Sequence, residues 1–103
     1  MQAQPITPHC RDLVWLKNRA LTKMTLAQIA KNESYRTRHN NPVGISYLSR
    51  RINGLARRIA HGVTQSGTTQ TAAYYHLSDY DLNSILYYAF SLKRSKAGGE
   101  SHA

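Results

Sequence analysis

The chain is poor in acid. Its 103 residues hold 5 Asp and Glu against 14 Lys and Arg, a formal net charge of +9. So little carboxylate leaves scant material for a two-metal nuclease site. There is one cysteine, Cys10, so no intramolecular disulfide can form. This fits a reducing, cytoplasmic compartment. Long apolar runs are missing as well. The richest stretch, Leu82 to Leu92, is broken by Asn83, Ser84 and Ser91. No window reaches the ~18 apolar residues of a spanning helix, and MQAQPITPHCRD lacks the charged start and apolar run of a secretory signal. No phosphate-cradling glycine loop is present.

What remains is positive charge, unevenly spread. Between Glu33 and Asp79 there is no acidic residue, and the charges in that window are all arginine: Arg36, Arg38, Arg50, Arg51, Arg57 and Arg58. Guanidinium forks match phosphate oxygens and the guanine edge better than lysine does. Nucleic acid is therefore the default partner. The alternative is a protein whose basic character serves only solubility.

Enzyme readings are weak, and the sequence reads as a non-enzyme with no cofactor. His9, His39, His61, His76 and His102 show no paired metal-ligand spacing. His9 and Cys10 lie beside Arg11 and Asp12, but on an expected flexible arm, a poor place for catalysis. Asp79 and Asp81 are better explained as helix-start residues after Ser78 than as an acid-base pair.

The chain divides into an extended arm at 1–9, a domain at 10–93 and a disordered basic, polar tail at 94–103. Leu13, Leu16, Ala20 and Leu21, flanked by Val14 and Trp15, predict a helix over 11–23. Thr25 is an N-cap candidate for a short second helix in which Leu26, Ile29 and Ala30 face one way. Residues 32–44, NESYRTRHNNPVG, read as a long basic loop. A third helix is expected over 45–59. There Ile45, Leu48, Ile52, Leu55, Ala56 and Ile59 share an arc of ~100°, and the arginines project from the remaining surface. Gly62 is expected to end it. Val63 to Leu77 alternates around Ser66-Gly67 and reads as a β-hairpin with a polar tip at Gln65 to Gln70. The last helix is expected over 79–93, with Leu82, Ile85, Leu86, Ala89 and Phe90 on its apolar face.

This order, with ISYLSRRINGLARRI, the hairpin around Gly67, AYYHL and SDYDLNSIL, resembles winged helix-turn-helix regulators of the arsenic-sensor and multiple-antibiotic-resistance types. TLAQIA resembles the second helix of such domains. The resemblance implies a mainly α fold with a small β-hairpin wing, and a sequence-specific, double-stranded DNA-binding transcriptional regulator. The third helix would enter the major groove, where Arg50 and Tyr47, with Ser46 and Asn53, would read bases. Arg51, Arg57 and Arg58 would hold phosphates, Arg36 and Arg38 would form a loop clamp, and Gln65 and Thr68 in the wing would touch the adjacent backbone. The departures are the long loop before the third helix and the absence of metal-sensing cysteines. A single small reader contacts few base pairs, so a homodimer is expected, packed through Tyr87, Tyr88 and Leu92 with Trp15 at its edge. Two other readings stay open: a protein-interaction module using the basic face or the tyrosine patch, and an RNA-binding protein.

Overall fold

A computed structural model describes residues 10–37 and 43–100, with side chains described for 11–34 and 43–92. Among the described residues there are five helices: α1 (Cys10–Ala20), α2 (Leu26–Thr37), α3 (Ile45–Ser66), α4 (Thr68–Tyr75) and α5 (Asp79–Glu100). The chain falls into two compact units, the first ending at Leu55 and the second beginning at Ala56, so that α3 contributes to both. Among the described residues, no helix is long and apolar enough to cross a membrane.

In the first unit, α1 stops at a turn in which Lys23 takes the left-handed conformation (φ 61°) and the Arg19 guanidinium donates to the Met24 carbonyl at 2.9 Å. Thr25 then starts α2 through a reciprocal capping box. Its hydroxyl oxygen accepts from Gln28 N–H at 3.1 Å, and Gln28 Oε1 accepts from Thr25 N–H at 2.9 Å. Both free amides are satisfied within one turn, so the expected N-cap is in place. Leu16, Ala20, Ile29, Ala30, Leu48, Ile52 and Leu55 are buried. Ile45, at the edge of the expected stripe, is instead 45% exposed.

The long loop is shorter than expected. α2 runs to Thr37, so the backbone of 32–37, including Arg36, is helical. The apolar period was hidden because its next core-facing position after Ile29 and Ala30 is Glu33, itself buried. Arg38 lies outside the described residues.

In the second unit, the expected wing is replaced by helix, and among the described residues there is no strand. α3 continues through Gly62 to Ser66, and α4 occupies the segment read as the second strand. Three physical details explain the difference. Gly62 is where α4 comes close: a Cβ there would meet Thr71 Oγ1 at 3.3 Å and Cγ2 at 3.6 Å. The sharp turn sits at Gly67, whose φ of 91° and ψ of 166° suit glycine alone, and whose carbonyl accepts the first bond of α4 from Thr71 N–H at 3.2 Å. His76 and Leu77 close α4 in a Schellman stop. His76 is left-handed (φ 58°) and donates to Ala73 O, while Leu77 N–H donates to Ala72 O at 2.8 Å. Neighbouring Thr71 and Ala72 are both buried, which strand alternation forbids.

α5 begins where expected, with Ser78 Oγ accepting from Asp81 N–H at 3.1 Å. It packs against α4 and is helical to Glu100, past the end expected at residue 93; residues 101–103 lie outside the described residues. Leu82, Ile85 and Ala89 are buried, Leu86 is half-buried, and Phe90 is 58% exposed, off the core face assigned to it.

Candidate nucleic-acid interface

The first unit builds a held helix surface out of two buried carboxylates. Asp12 and Glu33, each at a position that the helical period would give to an apolar side chain, are 3% and 5% exposed. Burial makes an unpaired carboxylate costly, so each must be met by donors. Glu33 Oε1 accepts from the Trp15 indole N–H at 3.0 Å, and Arg11 Nε lies 3.3 Å from the same oxygen as an ion pair without hydrogen-bond alignment. Asp12 Oδ2 takes both Arg51 Nη2 at 2.9 Å and Nε at 3.1 Å. That hydrogen bond and charge, with Tyr47 adding a smaller effect, raise the Arg51 guanidinium above its ordinary value. Arg51 Cζ also lies 5.8 Å from the Tyr47 ring centroid, and Tyr47 meets Trp15 edge-to-face at 6.2 Å.

These contacts sort the expected reading residues. Arg51 is committed to Asp12 and acts as a strut. Beside it Arg50 is exposed, and among the described residues no hydrogen bond or ion pair holds it. Ser46 is exposed and Tyr47 is 44% exposed. Asn53 is half-buried, its amide donating to Ser49 Oγ at 3.3 Å. Sequence reasoning missed Asp12 and Glu33 as organising groups. The available signal was a carboxylate breaking an apolar period on each of two adjacent helices.

The second unit carries Arg57 and Arg58, both exposed. Arg58 faces Tyr75 closely enough to favour its ionised form, but burial and Tyr74 act more strongly, and the Tyr75 hydroxyl is raised above its ordinary value. Tyr74 and Tyr75 pack edge-to-face at 4.8 Å. Gln65 and Thr68 are exposed, but they flank Gly67 at the α3–α4 junction instead of forming a wing tip.

The residues expected at a dimer surface divide as well. Trp15 is 6% exposed and spent inside the first unit. Tyr87 is 68% exposed, and Tyr88 and Leu92 are half-buried. Tyr80, at 72% exposure, lies two turns before Tyr87 on the side of α5 opposite Leu82, Ile85 and Ala89. No family model matches the chain, and no curated protein or solved structure is significantly similar to it.

Proposed function

We propose that this chain is a double-stranded DNA-binding regulator of the cytoplasm that reads sequence with the exposed face of α3 in its first unit. The observation that carries the reading is the contrast between adjacent arginines: Arg51 is anchored to buried Asp12, and Arg50 is exposed and, among the described residues, without a hydrogen bond or ion pair on the helix so held. A guanidinium on a held helix is prepared for a bidentate contact to a guanine edge. Ser46, Tyr47 and Asn53 flank it as further base contacts. The second unit supplies Arg57 and Arg58 as phosphate contacts of its own. The acid-free window from Ser34 to Ser78 removes the repulsion that carboxylates would offer a phosphate backbone. The likeness of TLAQIA and ISYLSRRINGLARRI to helix-turn-helix regulators supports the reading; the second segment is helical throughout, and the first from Leu26 on, with Thr25 as its cap.

The partner on the protein side is a second copy, joined through the exposed face of α5 at Tyr87. From Leu82 to Leu92 the sequence carries no charge, in a chain of net charge +9, so two copies meeting there avoid the repulsion that their other surfaces impose. Sedimentation at micromolar concentration tests this. A dimer that Tyr87→Glu converts to an 11.6 kDa particle supports it, and a wild-type monomer overturns it.

The function is tested by selecting from a random duplex pool, then measuring affinity for the selected duplex DNA, a scrambled duplex, duplex RNA and single strands at several salt concentrations. The reading requires a preferred DNA duplex and a steep salt slope. Arg50→Ala then relaxes sequence preference at a cost of about 1–3 kcal/mol, while Arg58→Ala weakens all duplexes alike. A preference for RNA, or no nucleic-acid binding at all, overturns it in favour of the RNA or protein-interaction reading respectively.

A further inference from the structure

Within the second unit, the α3 segment after Arg57 and the middle of α5 enclose a groove of about 460 Å³. That size is within the ~300–1,000 Å³ range of small-molecule sites. Its apolar lining comes from Ala60 and Val63 on α3 and from Leu86, Ala89 and Phe90 on α5. The polar lining is Arg57, His61 and Thr64, and no acidic residue is among the groups that line it. The Thr64 hydroxyl is already used, donating to Ala60 O at 3.2 Å. Arg57 and His61 are exposed, one helical turn apart, and hence neighbours on the α3 surface. Among the described residues no hydrogen bond or ion pair neutralises Arg57.

The groove therefore has an apolar interior, an aromatic wall that the core left out, and an uncompensated cation at its edge. We propose that it is a binding site for a small amphiphilic carboxylate, with the aliphatic or aromatic body laid between α3 and α5 and the carboxylate on the Arg57 fork beside His61. The guanidinium offers two parallel donors matched to a carboxylate's two oxygens. The apolar body buries against side chains that otherwise face water. A second cavity of the same unit, about 530 Å³ and lined by Gly62, Thr71, Tyr74, Tyr75 and their neighbours, has no charged lining residue and so lacks the anion-holding feature. The inference goes beyond the DNA reading and shares only Arg57 with it; its test contains no nucleic acid, so the two can fail separately.

The test uses the whole chain and a matched pair of soluble probes, 4-phenylbutyrate and the neutral 4-phenylbutan-1-ol, followed by calorimetry and by amide chemical shifts. The expected result is saturable binding of the acid at least tenfold tighter than the alcohol, with shifts centred on Ala60, Val63, Leu86, Ala89 and Phe90. Arg57→Gln, at an exposed position, abolishes the tenfold preference and leaves the alcohol's affinity unchanged. Ala60→Phe, checked for retained helix by circular dichroism, fills the groove and removes both. The proposal is overturned if the acid does not saturate, if acid and alcohol bind alike, if Arg57→Gln leaves the preference intact, or if the shifts centre on Tyr74 and Tyr75.

Discussion

The two units solve the same packing problem with opposite materials. The first places two carboxylates, Asp12 and Glu33, among Leu16, Ile29, Leu48 and Ile52, and ties them to Arg51, Arg11 and the Trp15 indole. The second buries Ala56, Ile59, Ala72, Leu77, Leu82, Ile85 and Ala89 with Thr71, and leaves Tyr74, Tyr80, Tyr87 and Phe90 largely outside. Apolar packing is non-directional, whereas a buried carboxylate accepts only at set positions and angles. The first unit thus fixes α3 near Arg50 through directional contacts from Asp12 to Arg51. The second keeps a simple apolar core and leaves an aromatic surface exposed.

The sharpest way to break this comparison is Glu33→Ala. It orphans the buried indole N–H and the Arg11 guanidinium, and a loss of about 3 kcal/mol is expected in urea unfolding followed by circular dichroism. Glu33→Gln, which retains an acceptor for Trp15, costs clearly less. Equal losses for the two would show that the carboxylate's charge, not its accepting oxygen, holds the unit.

The second unit is most sensitive to volume. Gly62→Leu forces a side chain against Thr71, which is 4% exposed and has little room to yield. An overpacking loss of about 1–3 kcal/mol is expected. Gly62→Ala sets a helix-propensity gain of about 1 kcal/mol against crowding of the Thr71 hydroxyl. Combined with Thr71→Ala it gains more than the sum of the separate effects, and strict additivity in thermal melts would contradict the close approach.

A smaller effect is shared by both units. Lys23 and His76 hold the left-handed conformation without being glycine. Lys23→Gly and His76→Gly each relieve strain of about 1 kcal/mol, offset in part by the greater freedom of the unfolded chain. A loss at either position would indicate that its side chain makes a contact worth more than the strain.

The smallest effect is alkaline and belongs to the second unit. Burial, with help from Tyr74, raises the Tyr75 hydroxyl above its ordinary value of 10.0. A raised tyrosine favours the neutral form in the fold. Its contribution is complete below the unfolded value and is lost as pH rises through the folded one. The difference in tyrosinate absorbance between the wild type and Tyr75→Phe should therefore place the Tyr75 step above the ordinary tyrosine value. Arg58→Gln, which removes the one influence lowering it, moves the step further up.

Helix starts were the legible part of this fold. Thr25, Ile45 and Asp79 mark the onsets of α2, α3 and α5 as their capping or apolar spacing implies. The buried stripe Leu48, Ile52, Leu55, Ala56 and Ile59 follows from period alone. The ends were harder. Gly62 reads as a stop in one dimension, but it serves a neighbouring helix in three. The Thr-, Gln- and Ala-rich segment before Leu77 satisfies an alternating pattern as easily as a short amphipathic helix, and only its contact with α5 decides. At the candidate interface, the arginines were visible as a class. Which of them is free and which is a strut depends on Asp12, thirty-nine positions from Arg51 along the chain, a distance no local spacing registers.

The Trp15 indole has an optical consequence. It is the only tryptophan in the chain, it is 6% exposed, and its N–H rests on a carboxylate in the first unit. Selective excitation of the indole therefore follows one unit alone, while backbone dichroism follows both. Emission starts from an enclosed, hydrogen-bonded indole and shifts to the red as Glu33 lets go and water enters. Superimposed traces from the two signals during a single denaturant ramp would mark one cooperative transition. A gap between them would measure how far each half of the molecule unfolds on its own schedule.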